Sequence, residues 1–158
     1  MREFILRRAR GDESDAVAAL FRLSKETAMP YLPELHTADD DRAFFRERVF
    51  AECEVWIAER DGALAGFCAF RAGWVDQLYV RPDVQRSGVG AALLRKAKDA
   101  NARLQLWAFQ RNVDALRFYA AQGFALVRTT DGSGNEEREP DALLTWERDE
   151  LGSRRERI

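Results

Sequence analysis

Hydrophobic positions change period several times along the chain, and each change marks an element. Phe4-Ile5-Leu6-Arg7 is a short apolar run that reads as a first strand. From Asp12, a natural helix cap, Val17, Leu20, Phe21 and Leu23-Ser24 recur at helical spacing, and Pro30 and Pro33 stop the pattern near Met29. Thr37-x-x-Asp40 resembles a capping box opening a second helix that carries Phe44, Phe45, Val49 and Phe50. Val55-Trp56-Ile57-Ala58 and Leu64 to Phe70 flank Asp61-Gly62, which predicts a hairpin. Gly73 to Val80 supplies the next strand.

Beyond Val80 the period returns to helical, with Val89, Ala92, Leu93, Ala97 and Ala100 lining one side. Leu104 to Trp107 reads as a buried strand, and Asn112 to Gln122 as a helix that ends on Gly123. Phe124 to Val127 and Ala142 to Trp146 are the last two strands. The polar, glycine-bearing segment from Thr129 to Pro140 reads as a mobile loop between them. The order is β-α-α-β-β-β-α-β-α-β-β in one domain over residues 1–150. Residues 151–158 carry no core pattern and read as a flexible tail.

Length and charge narrow the function. At 158 residues the chain matches a single domain with a sizeable core. Charged residues make up 33% at a net charge of only -2, without a basic run in the body, which disfavours a nucleic-acid partner. Apolar runs fall far short of the roughly 20 residues of a membrane helix, and no signal-peptide core opens the chain. Cys53 and Cys68 read as small core residues of a reduced, cytoplasmic protein. With His36 as the sole histidine, no metal site is expected.

The most specific feature is Val80-Arg81-Pro82-Asp83-Val84-Gln85-Arg86-Ser87-Gly88-Val89-Gly90-Ala91. It sets Gln-x-x-Gly-x-Gly between a strand and a helix. A helix start leaves unpaired N–H donors and partial positive charge, a seat for phosphate. A Walker loop requires a lysine and a hydroxyl after its last glycine, where this chain has Ala91-Ala92. The dinucleotide fingerprint requires a third glycine where Leu93 stands.

What remains resembles the acetyl-CoA-binding motif of the GNAT N-acetyltransferase superfamily. A second block, Asn112-x-x-Ala115-x-x-Phe118-Tyr119-x-x-x-Gly123-Phe124, resembles that family's downstream segment in order and spacing. The resemblance runs from about residue 3 to 147. It implies an α/β fold with a mixed, mostly antiparallel central sheet flanked by helices, its central strands splayed. It also implies acetyl transfer to a primary amine by direct attack in a ternary complex, with acetyl-CoA as co-substrate.

The resemblance assigns roles residue by residue. Gln85, Arg86, Ser87, Gly88, Val89, Gly90 and Ala91 would hold the pyrophosphate through backbone N–H groups. Leu78, Tyr79 and Val80 would offer a strand edge to the pantetheine amides, with a β-bulge aiming one N–H at the thioester carbonyl. Asn112 caps its helix and also reaches the pantetheine, while Ala115 and Phe118 pack against the arm or the sheet. Tyr119 is the general acid that protonates the departing thiolate. Asp76, an acid inside an apolar strand, competes with a water chain as the base.

The resemblance implies an acceptor pocket built from the first two helices and the loop before the last strand, which here hold Tyr31, Leu32, Glu34, His36 and Asp39 to Asp41, then Asn135, Glu136, Glu137, Glu139 and Asp141. Their acids would attract a cationic amine. The absence of an added recognition region favours a small-molecule amine. A protein or peptide amine is the alternative, and a non-catalytic acyl-CoA sensor the rival from another class. A homodimer joined through the C-terminal strands is compatible with each.

Overall fold

The computed structural model describes residues 3–149, and the segment 151–158 read as a tail lies outside the described residues. The chain runs β1 (Ile5–Arg8), a 3₁₀ turn (Gly11–Glu13), α1 (Ser14–Ala28), α2 (Ala38–Phe44), a π-helical turn (Phe45–Val49), α3 (Phe50–Glu52), β2 (Glu54–Arg60), β3 (Ala63–Arg71) and β4 (Trp74–Val80). It continues through a 3₁₀ turn (Pro82–Val84), α4 (Val89–Ala100), β5 (Arg103–Phe109), α5 (Val113–Ala121), β6 (Ala125–Thr130) and β7 (Asp141–Glu147). The strands form one sheet in the order β1-β2-β3-β4-β5-β7-β6. All neighbours are antiparallel except β4 and β5, which are parallel.

Two apolar layers cover the sheet. On one face Val89, Leu93, Leu94 and Ala97 of α4 pack with Cys68, Leu104, Leu106, Tyr119 and Leu144. On the other, Val17 and Leu20 of α1 meet Phe45, Val49, Ile57 and Phe67. Phe45 and Phe67 are fully buried, each contributing up to about 3 kcal/mol by leaving water. The π turn closes through the Phe50 N–H to Phe45 O bond and turns Phe45 and Val49 inward. Phe44, read from the sequence as part of the same apolar stripe, is left 46% exposed.

Two local expectations change. Asp12 does not cap α1. Instead Glu13 accepts the Arg10 N–H at 2.7 Å and both arms of the Arg7 guanidinium at 2.9 and 2.6 Å, so a 3₁₀ turn precedes the helix. The segment from Thr129 to Pro140 is internally bonded rather than loose. Asn135 Nδ2 donates to Glu139 O and Asp141 Oδ2 at 2.7 and 3.0 Å, and Gln110 Nε2 reaches Thr130 O and Asp141 O at 3.0 Å each. Side-chain amides supply the partners that this irregular backbone lacks. The capping box at Thr37 and Asp40 forms as expected.

The Arg7 contacts hold the Glu13 carboxyl down, from 4.5 to about 2, and Arg7 also meets Glu59 at 2.5 Å. A carboxyl depressed on folding adds stability above its unfolded pKa and loses it as pH falls through its folded value. Glu13→Gln therefore lowers the urea midpoint at neutral pH. That deficit shrinks between about pH 4.5 and about pH 2. Urea titrations across this range check it, and a deficit independent of pH contradicts it.

Candidate active site

The gap that matters opens between β4 and β5. Trp74 faces Gln105, and Gln105 N donates to Gly73 O at 2.9 Å. Beyond that pair the arms part, β4 staying with β3 and β5 with β7. Arg81 N donates to Ala65 O at 2.7 Å, which sets the alternation along β3–β4. Tyr79 then exchanges bonds with Phe67, whereas Leu78 and Val80, opposite Cys68 and Gly66, turn their backbone groups toward the gap. The Val80 carbonyl is met by Ser24 Oγ and Gln85 Nε2, both at 3.4 Å. The open edge thus consists of Leu78 and the Val80 N–H. Tyr79 is spent on β3, and its ring packs at 5.2 Å from Phe21 and 6.0 Å from Phe67.

The glycine loop lies past the tip of β4. Gly88 caps α4 at φ 89°, a left-handed conformation that side chains resist, and a Cβ there would meet nothing within 4 Å. That open space lies at the mouth of the helix. Ala92 N is the first to bond back, to Gly88 O, so the N–H groups before it point outward. Arg86 is also left-handed, at φ 63°. Ser87 Oγ is bound inward to Val84 O and braces the loop. Gly90 serves packing, because its Cβ position lies 3.4 Å from the Phe118 ring.

α5 and its cap bring four of the expected residues to this side of the sheet. Asn112 Oδ1 accepts the Ala115 N–H at 3.3 Å, forming the expected cap, and Nδ2 faces Met29 Sδ at 3.6 Å. Thioether sulfur is a weak acceptor, so this amide keeps its capacity for a stronger one. Phe118 and Ala115 pack with Leu78 and Val80 against the core. Tyr119 is 8% exposed, with ring centroids 5.2 Å from Phe118 and 5.4 Å from Phe124. Burial pushes its phenol pKa well above the ordinary value, so the proton stays on.

On the opposite face the acceptor segments meet. His36 Nε2 contacts Glu136 Oε1 at 2.5 Å, tying the α1–α2 connection to the β6–β7 loop. Arg111 grips Glu139 through two bonds of 2.8 and 2.9 Å and lies 3.9 Å over the Tyr31 ring. The Tyr31 hydroxyl is buried without a hydrogen-bond partner among the described residues. An open-sided groove of about 630 Å³ runs alongside, lined by Trp107, Ala108 and Phe109 of β5, Arg128, and Glu137 of the loop. Asp39 and Asp40 serve the start of α2, and Asp41 pairs with Arg22 at 3.0 Å.

Asp76 is held by Arg71 rather than left free as a base. It is the extra residue of a β-bulge, between Gln77 opposite Ala69 and Val75 opposite Phe70. Its carboxylate turns back across β3 to Arg71 Nε at 2.7 Å, with Cys53 Sγ at 3.4 Å. The bulge therefore exists, but one step nearer the paired end than the strand edge it was expected to serve. Burial and the Asp76 charge push the Cys53 thiol up to about 12. Arg111 and Trp107 were not singled out from sequence. Arg111 stands directly before the capping asparagine, yet its partner lies 28 positions on.

Among the described residues no helix is long and apolar enough to cross a membrane, and no three His, Cys, Asp or Glu side chains cluster for a metal. Residues 51–126 match the acetyltransferase (GNAT) domain. The chain is 28% identical over 144 residues to the peptidyl-lysine N-acetyltransferase YiaC of Escherichia coli, covering 90% of this chain and 96% of that one. It is 30% identical over 127 residues to the peptidyl-lysine N-acetyltransferase YjaB of the same organism, covering 77% and 82%. Its fold matches that of the PaiA N-acetyltransferase of Thermoplasma acidophilum, solved with coenzyme A, at a TM-score of 0.69 and 16% identity over 92% and 99% of the two chains. Splayed β4 and β5, a glycine cradle at the start of α4 and the Asn112–Gly123 block agree with these matches: the chain is an N-acetyltransferase of the GNAT family.

Proposed function

We propose that this N-acetyltransferase moves the acetyl group of acetyl-CoA to the side-chain amine of a lysine in a polypeptide, by direct attack. The observation that carries the acceptor class is the open-sided groove beside β5, floored by a half-exposed Trp107. An extended chain can lie in it and insert one long side chain toward the gap. Two relatives of this chain named for peptidyl-lysine acetylation support the same reading. A small free amine, favoured on chain length, gains no comparable support from the groove.

The residues fit the donor. The outward N–H groups of Gly88 to Ala91 would receive the pyrophosphate, the open side of Gly88 admitting it. Leu78, through both backbone groups, and Val80, through its N–H, would pair with the pantetheine amides, and Asn112 Nδ2 would add a donor. The Leu78 N–H is suited to the thioester oxygen as charge develops on it. Tyr119 then gives its proton to the leaving thiolate as the C–S bond breaks and the C–N bond forms.

The test is a release assay for CoA thiol with acetyl-CoA and either a lysine-containing peptide or a panel of small free amines. The peptide is expected to turn over with acetylation at lysine. Turnover confined to the small amines contradicts the acceptor assignment.

A further inference from the structure

With Asp76 engaged elsewhere, the attacking ammonium still has to lose a proton. Lysine carries its charge up to a pKa near 10.4, so at neutral pH a nearby base is worth about 10²-fold or more. We infer that Glu137 is that base, accepting the proton from the lysine ammonium directly or through one water. The inference rests on the acetyl-transfer reading above.

Glu137 lines the groove together with Ala108 and Phe109, the β5 arm of the gap. Burial raises the pKa of the Tyr79 phenol on the β4 arm, and the Glu137 charge adds to that rise, with Tyr31 behind it. The carboxylate therefore borders the β5 arm within electrostatic reach of Tyr79 on the β4 arm. The neighbouring acids are all engaged. Glu139 is held by Arg111, Asp141 by Asn135 and Thr130, Glu136 by His36, and Asp76 by Arg71.

Among the described residues Glu137 carries no hydrogen bond or ion pair, although Arg128 lines the same groove. A partly buried carboxylate without a partner is costly unless a cation arrives. The arriving ammonium meets that need. The Tyr31 hydroxyl, buried and unpartnered, is a further polar group on this face. In the step the N–H bond breaks, its electron pair attacks the thioester carbon, and the proton moves to a Glu137 oxygen. Solvent takes it from there after product leaves.

The test compares wild type with Glu137→Gln and Glu137→Asp on a lysine peptide and on the same peptide bearing an aminooxy group, neutral at pH 7, in place of the ammonium. Glu137→Gln should lose about 10²-fold in kcat on lysine and stay within about twofold of wild type on the aminooxy acceptor. Glu137→Asp should recover part of the loss, and both variants should melt as wild type does. Wild-type kcat on lysine, or equal loss on both acceptors, overturns the assignment. Failure of the wild type itself on both acceptors overturns the transfer reading instead, and the base with it.

Discussion

Tyr119→Phe should lower kcat about 10²-fold, some 2.7 kcal/mol of barrier, and leave the affinity for acetyl-CoA unchanged. The substitution keeps the ring between Phe118 and Phe124 and deletes one oxygen. Packing therefore survives, so the effect reports chemistry rather than folding. Burial holds the phenol neutral throughout the working pH range. A donor that never ionises there can meet the thiolate at any pH, so no alkaline limb below about pH 10 should be traceable to Tyr119. Steady-state rates with a parallel acetyl-CoA titration separate the two quantities. An unaltered kcat removes Tyr119 from the mechanism, and weakened acetyl-CoA binding with normal kcat makes it a packing residue.

Gly132→Ala should cost about 3 kcal/mol and lower the melting temperature by roughly 6–12 °C. Gly132 holds φ at 88°, and an added Cβ would lie 2.4, 2.6 and 2.8 Å from the backbone C, O and N of Glu139. Backbone cannot swing aside as a side chain can. Relief would pull Glu139 from Arg111, release the Tyr31 ring and loosen the loop that carries Glu137. The acceptor KM should rise while acetyl-CoA affinity holds, since the glycine cradle lies on another loop. Gly134→Ala is the control. No atom lies within 4 Å of its Cβ position, so a change of no more than about 0.5 kcal/mol is expected. Thermal melts of the two variants check this, and equal melting temperatures contradict it.

The elements of the candidate donor half were legible because their local structure depends on sequence neighbours. Gln85 to Gly90 and Asn112 to Gly123 are contiguous, and a helix start or cap needs only neighbours in sequence. The strand edge was legible down to the register. Period-2 reading could not say which of Leu78, Tyr79 and Val80 faced the gap, because that depends on the pairing of Arg81 with Ala65. The acceptor half was not legible in the same way. Its acids were visible as a cluster, but their roles follow from long-range partners: Arg111 for Glu139, His36 for Glu136, Arg71 for Asp76. The ion pair of Asp76 with Arg71 was hidden because a bulge shifts the register by one residue, and no composition signal marks it. The loop from Thr129 to Pro140 looked loose because its polar residues read as solvated, whereas Asn135 and Gln110 spend their amides inside it.

The most direct measurement is a mass balance on the purified protein with acetyl-CoA, in the presence and absence of a lysine peptide. Direct transfer predicts one CoA thiol released per acetyl-lysine formed, and neither CoA release nor acetylated protein without the peptide. An acetyl group that loads onto the protein first and then passes to the peptide would contradict it. So would acetyl-CoA that stays bound without releasing thiol to any amine.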